Sequence, residues 1–149
     1  MSASPSDIRE LHAGETELAH RALVELRPAY QDQPAFVQHV DQVLRPGGYR
    51  LVGAFTTSRR DAVSVAGFRT GHCLGWGHHL YVDDLSTLPE ARRQGHAGRL
   101  LDWLVEDARR LGCKQLHLDS GTGADRFDAH RFYHRHGLVI SSHHFARQV

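Results

Sequence analysis

Residues 83–104 read DDLSTLPEARRQGHAGRLLDWL, and the change of character along this stretch decides the fold. With Leu80-Tyr81-Val82 ahead of it, Asp83 to Thr87 reads as the end of a β-strand, extended and alternating. The chain then turns through Arg92-Arg93-Gln94-Gly95-His96-Ala97-Gly98 and enters a helix. A strand that meets a helix through a glycine-rich turn leaves several backbone N–H groups unpaired at the positive end of the helix dipole. Small residues at Gly95, Ala97 and Gly98 let a diphosphate come close to the backbone, and Arg92 and Arg93 add charge-assisted contacts. The loop lacks the Gly-Lys-Ser/Thr ending of a Walker A loop and the G-x-G-x-x-G spacing of dinucleotide folds. By itself, so short a glycine loop fits an ordinary turn as well as an anion site.

Past the loop, Leu100, Leu101, Leu104, Val105, Ala108 and Leu111 recur at helical spacing with charged residues between them, which predicts one amphipathic helix over 97–111, ended by Gly112. The spacing R-x-x-G-x-A at the start of that helix, preceded by LYVDDLST, resembles the acetyl-coenzyme A motif Q/R-x-x-G-x-G/A of the GNAT superfamily of N-acetyltransferases. Downstream, Ala129 to Leu138, AHRFYHRHGL, is similar to the A-x-x-F-Y-x-x-x-G-F segment of the same family. Two motifs in the right order are far more specific than either alone.

Length and composition fit this resemblance. A chain of 149 residues is expected to form one domain over 1–149, with a real core. Eighteen Lys plus Arg against seventeen Asp plus Glu give a net charge of +1, which argues against nucleic acid as the partner. Cys73 and Cys113 match no metal or redox spacing and are expected to stay reduced. The N-terminus has no apolar leader and no run is long enough to span a bilayer, so the expectation is a cytoplasmic protein with no membrane partner and a homodimer possible.

Taken in order, Ile8 to Leu11 reads as a first strand, Glu15 to Leu26 as a helix closed by Pro28, and a second helix follows Pro34 with Phe36, Val37, Val40, Val43 and Leu44 inward. Tyr49 to Thr56 and Asp61 to Thr70 read as a hairpin about Thr57 to Arg60. His72 to His78 either extends that strand or forms a loop, its glycines favouring a turn. Leu80 to Thr87 is the central strand, Lys114 to Asp119 the next, Asp128 to His136 a helix capped by Gly137, and Ser142 to Gln148 a last strand. This order gives an α/β sandwich. The resemblance implies the same over almost the whole chain: a mixed, mostly antiparallel central sheet flanked by helices, with the central strands splayed.

The chemistry of acetyl transfer selects candidates within that frame. An alkylamine is protonated at neutral pH, so a base must stand near the acceptor. Asp83 and Asp84 are adjacent carboxylates on the central strand, sent by alternation to opposite faces. Asp83, sharing a face with Tyr81, Leu85 and Thr87, occupies the position where the family often carries its proton acceptor, acting directly or through water. A solvated or ion-paired carboxylate is the plainer alternative for Asp83, and for Asp84 it is the preferred one.

YVDDLST especially resembles the Y-L-E-D-x-x-V segment of polyamine-type acetyltransferases. The resemblance further implies that the backbone at Leu85, Ser86 and Thr87 pairs with the pantetheine arm and supplies an oxyanion donor, and that Tyr133 is the general acid at the coenzyme sulfur. The diphosphate falls to Arg92, Arg93, Gln94, Gly95, His96, Ala97 and Gly98. Arg126 stands where many relatives have an Asn that contacts the coenzyme, and Leu138 where Phe is usual. Thirteen histidines invite a metal reading, but no H-E-x-x-H is completed, so none is expected; His79 or His134 as proton relays is a more modest idea.

The expected activity is direct transfer of acetyl from acetyl-CoA to the primary amine of a small molecule. Two carboxylates on the acceptor side favour a cationic one such as a polyamine, an aminoglycoside-like amine or a lysine side chain. Peptide or protein N-acetylation and an inactive CoA-binding sensor are the rivals.

Overall fold

The computed structural model describes residues 6–149, which group into two compact units, one running through His117 and the other spanning Leu118–Val149. The first unit contains β1 (Asp7–Leu11), α1 (Glu17–Leu26), α2 (Gln33–His39), β2 (Arg50–Phe55), β3 (Ser64–Cys73), β4 (Gly77–Thr87) and α3 (His96–Arg110), followed by β5 (Gln115–Leu118). The strands form one sheet in the order β1-β2-β3-β4-β5, and the first three pairings are antiparallel. The class is therefore α/β with a five-stranded, mostly antiparallel sheet.

One face of the sheet packs on α3. Its apolar stripe buries Leu100, Leu101, Leu104 and Ala108, and Trp103 meets the fully buried Phe68 of β3 edge-to-face at 5.9 Å. Asp107, on the same helix, is buried between Arg50 at 2.8 Å and Arg110 at 2.7 Å. Burial alone would raise its carboxyl, but the hydrogen bonds from Arg110 and Arg50 outweigh that and hold it below the usual range. The other face carries α1, tied down where the buried Ser86 hydroxyl of β4 donates to the Ala22 carbonyl at 2.7 Å. Gly112, at φ +80°, ends the α3 segment with a Cys113 N–H to Ala108 carbonyl bond of 2.8 Å.

In the first unit, three sequence readings are settled or changed on folding. The alternatives for His72 to His78 resolve into a longer hairpin: β3 continues to Cys73, the chain turns at Leu74 to Trp76, and β4 begins at Gly77, whose φ of +67° the turn requires. The second helix is not one regular element. After α2 it widens into a π-helical turn at Val40–Leu44 and tightens into a 3-10 turn at Arg45–Gly47. The extra residue per turn rotates Val43 out of the inward stripe, so Val43 is 58% exposed while Phe36 and Val40 are buried. Arg45 fixes this turn: its guanidinium donates to Asp41 at 2.8 Å, to the Leu11 carbonyl at 3.0 Å and to the Thr16 hydroxyl at 2.8 Å.

The third change is in β4. Gly67 of β3 pairs with Asp84, but the next residue, Phe68, pairs with Val82, so Asp83 is the extra residue of a β-bulge. The side-chain phase of the strand inverts there.

In the second unit, a 3-10 turn at Ala124–Arg126 leads into α4 (Phe127–Arg135). Gly137, at φ +82°, turns the chain so that the Leu138 N–H donates to the Tyr133 carbonyl at 3.0 Å. The strand expected at Ser142 to Gln148 does not form. Phe145 is 92% exposed there, and a strand needs a neighbour to take its backbone hydrogen bonds and its apolar side.

Candidate active site

β4 ends at Thr87, a 3-10 turn follows at Pro89–Ala91, and α3 starts at His96, one residue ahead of the expected Ala97. Between them the backbone is held in unusual conformations: Arg93 has φ +61°, and Gly95, the N-cap, has φ +84° in open space, so glycine is needed there for conformation and not for room. Among the described residues, the loop N–H groups of Ala91 and Arg92 find backbone acceptors, and within α3 the Arg99 N–H bonds to Gly95 at 3.2 Å. Those of Arg93, Gln94 and Gly95 do not. Together with the first N–H groups of α3 they form a cluster of donors at a helix N-terminus.

The side chains of Arg92, Arg93 and Gln94 are exposed around this cluster. Gln94 donates to the Glu90 carbonyl at 3.3 Å, and the Arg99 guanidinium is spent on the Ser6 carbonyl at 2.6 Å. His96 is only 2% exposed, and its Nδ1 has no partner among the described residues. Burial, with a smaller contribution from Arg99, pushes its imidazole below the ordinary histidine range, so it sits neutral. The loop thus offers amides and two exposed guanidinium groups, a donor set that suits a diphosphate.

Farther back on β4 the bulge corrects the alternation argument: Asp83 and Asp84 do not point to opposite faces but line one cavity of about 330 Å3 with Tyr49, Arg69, Val43, Leu44 and Gly47. An adjoining cavity of about 180 Å3 shares Leu44, Tyr49 and Asp84 and continues over Leu23, Phe36 and Val40 to Arg27. Asp84 accepts from the Tyr49 hydroxyl at 2.7 Å and from Arg27 Nε at 2.8 Å. Asp83 is gripped by both ends of a fork, Arg69 Nε at 2.7 Å and Nη2 at 3.0 Å. Burial first, and then the charge of Asp84, push the Tyr49 phenol far above its ordinary value, so Tyr49 keeps its proton and donates a hydrogen bond to Asp84.

Tyr49 can lie there because position 67 has no side chain. A Cβ on Gly67 would stand 1.8 Å from the Tyr49 hydroxyl oxygen and 2.4 Å from the ring carbon that bears it. Sequence reasoning missed Arg27, Tyr49, Gly67 and Arg69. A signal was present for one of them, since an isolated glycine inside a strand pattern marks a bulge or a close approach, and VAGF at 65–68 is such a case.

Of the backbone segment Leu85, Ser86 and Thr87, the side chains serve the fold: Ser86 faces α1, and the Thr87 hydroxyl lies 2.7 Å from that of Ser64. Tyr133 and Arg126 come together in the second unit. Burial raises the Tyr133 phenol, and the charge and hydrogen bond of Arg126 only partly offset this, so the hydroxyl keeps its proton at neutral pH. Neither candidate relay histidine is idle: His79 donates through Nδ1 to the Gly77 carbonyl at 2.9 Å, and His134 does so to the Leu138 carbonyl at 3.2 Å. Among the described residues no three metal-binding side chains converge, and no helix is long and apolar enough to cross a membrane.

The sequence profile of the Acetyltransferase (GNAT) family matches residues 8–138. The chain belongs to the GNAT family. It is an acetyl-transferring acyltransferase, and the matched span takes in the loop, β4 and the Tyr133 helix. A curated relative, the uncharacterized N-acetyltransferase YhdJ of Bacillus subtilis, is 30% identical over 79% of this chain and 81% of its own length. The aminoalkylphosphonate N-acetyltransferase of Salmonella typhimurium is 38% identical over a shorter stretch, 46% of this chain and 43% of its own.

Among solved structures, a transcriptional regulator from Bacillus halodurans superposes with a TM-score of 0.81 at 22% identity, covering 97% of this GNAT chain and 99% of its own. The aminoglycoside N-acetyltransferase AAC(6')-Iy in complex with CoA does so with a TM-score of 0.80 at 15% identity, covering 99% and 96%. At such identities the likeness is one of fold.

Proposed function

We propose that this GNAT protein, working as one domain over 1–149, transfers acetyl from acetyl-CoA directly to the primary amine of a small molecule that arrives as an ammonium cation. The observation that carries this reading is the cluster of unpaired N–H groups at Arg93, Gln94 and Gly95 ahead of α3. In the proposed complex, Arg92, Arg93, Gln94, Gly95, His96, Ala97 and Gly98 hold the diphosphate mainly through their amides. The backbone at Leu85, Ser86 and Thr87 aligns the pantetheine arm and supplies an N–H where negative charge develops on the thioester oxygen. Arg126 takes the place of the contact that an Asn makes in other members.

At the acceptor side, Asp83 and Asp84 hold the ammonium. Since both oxygens of Asp83 already accept from Arg69, its remaining lone pairs take a proton from the ammonium, directly or through one water, and the neutral nitrogen then attacks the thioester carbonyl. Tyr133, with its proton retained by burial, then protonates the departing thiolate. The larger cavity, about 330 Å3, lies at the lower end of the roughly 300–1,000 Å3 range of small-molecule pockets, which favours a small amine over a peptide. The Salmonella relative, named for acetylating aminoalkylphosphonates, supports the same class.

The test is release of free thiol from acetyl-CoA across a panel of amines, with Tyr133→Phe as control. Acetylation of small amines with loss of turnover in the variant is expected. Acetylation confined to peptide N-termini, or acetyl-CoA binding with no thiol release from any amine, would replace this reading with one of its rivals.

A further inference from the structure

The acceptor cavity holds more than two carboxylates. Arg27 and Arg69 are folded against Asp84 and Asp83, and their side chains are 50% and 52% exposed against 15% and 26% for the two aspartates. An incoming molecule therefore meets guanidinium groups at least as readily as carboxylates. Arg69 spends two N–H groups on Asp83, and Arg27 spends one on Asp84 and one on the Asp83 carbonyl at 3.1 Å. Each guanidinium has five, so both retain donors for a further acceptor. The four side chains sum to zero charge, and a polycation gains no net attraction there.

Resting on the proposed acetyl transfer, the geometry points to an acceptor that carries an acidic group a few bonds from its amine. The ammonium lies against Asp83 and Asp84 while a carboxylate or phosphonate takes the open edges of Arg69 and Arg27. Fork-shaped guanidinium donors match the paired oxygens of either anion. The carboxylate partners keep both arginines in place before the ligand arrives, so little ordering remains to be done on binding. Tyr49, locked over Gly67 and bonded to Asp84, is the positioning residue of the arrangement.

The experiment compares four amines of similar length through thiol release from acetyl-CoA: β-alanine, aminoethylphosphonate, ethylenediamine and propylamine. The wild-type protein is expected to favour at least one of the two acids over ethylenediamine by tenfold or more in kcat/KM. Whichever acid leads identifies the anion, carboxylate or phosphonate.

Arg69→Gln should reduce that preference at least tenfold, chiefly through KM of the acid, and should raise the relative rate with ethylenediamine. Arg69→Lys should restore part of the preference, and Arg27→Gln repeats the test at the second guanidinium. Ethylenediamine or propylamine equal to or ahead of both acids in the wild-type protein would overturn the inference alone, leaving acetyl transfer to small amines intact. So would a preference that neither glutamine variant alters. Acetyl-CoA binding without thiol release from any amine would overturn the transfer reading, and this inference with it.

Discussion

The loop at Arg92–Gly98 and the cavity around Asp83 lie on the same strand-to-helix run and are built in opposite ways. The loop works through its backbone: a bend set by Gly95 at φ +84° and Arg93 at φ +61° presents amides, and most of its side chains point to solvent. The cavity works through side chains brought from Arg27, Tyr49, Arg69, Asp83 and Asp84, with Gly67 giving room. A backbone site is written in a few consecutive residues. A side-chain site is written across the chain and becomes visible only when a register shift and an absent Cβ are known. The two should therefore respond separately to substitution, the donor half to changes of conformation and the acceptor half to changes of charge and space.

The strongest separation is expected from the proposed general acid. Tyr133→Phe should lower kcat by about a hundredfold, within the usual span for loss of general acid catalysis, while calorimetry finds acetyl-CoA affinity changed by no more than about twofold. Because burial raises the phenol, the wild-type rate should not fall on this account until pH passes about 10, the ordinary tyrosine value. A loss at lower pH that vanishes in the variant would mean that the phenol is not held up.

Gly67→Ala should come next. The added Cβ displaces Tyr49 and breaks its bond to Asp84, a contact with a charged group that is worth about 1.5–3 kcal/mol. Acceptor kcat/KM should fall by about tenfold or more, and the melting temperature should drop by several degrees, with acetyl-CoA affinity preserved. Tyr49→Phe should give the same loss of rate with less loss of stability. If Gly67→Ala weakens acetyl-CoA as much as the amine, the two halves are not independent.

Asp83→Asn should cost about tenfold at pH 7 and less as pH approaches 10, where the amine loses its proton unaided. A pH profile identical to the wild type would remove Asp83 from proton transfer. The smallest effect is expected at His96, whose pKa is lowered by burial. The unfolded chain gains a proton on this residue below about pH 6.5 and the folded chain resists it, so the associated stability is present above that pH and is lost as pH falls toward the depressed folded value. Thermal melts from pH 7 to 5 should show His96→Asn losing less stability on acidification than the wild type, with only a modest change in acetyl-CoA affinity at pH 7.

The contrast also accounts for what could be read before folding. The R-x-x-G-x-A loop, the stripe Leu100, Leu101, Leu104 and Ala108, and the terminating Gly112 are local patterns, and α3 with its donor loop formed within a residue of where they placed it. Asp83 and Asp84 were recognised as a pair, but strict alternation separated them, because nothing in DDLST announces that Phe68 will pair with Val82 and leave Asp83 unpaired. The inward stripe after Pro34 assumed a period of 3.6 residues, which a π-helical turn at Val40–Leu44 does not keep. The preference for a cationic acceptor counted the two carboxylates and not the arginines 57 and 14 positions away that bond to them. The strand at Ser142 to Gln148 had the composition for extension and no partner to pair with.

The central claim is that the free amides before α3 grip the diphosphate of a CoA thioester. Its most direct measurement is a calorimetric titration with acetyl-CoA beside S-acetylpantetheine, which carries the same thioester and arm without the diphosphate. The account predicts measurable binding of acetyl-CoA, and binding of S-acetylpantetheine weaker by about a hundredfold or more, or about 2.7 kcal/mol. Equal affinity for the two, or no heat with acetyl-CoA, would contradict it.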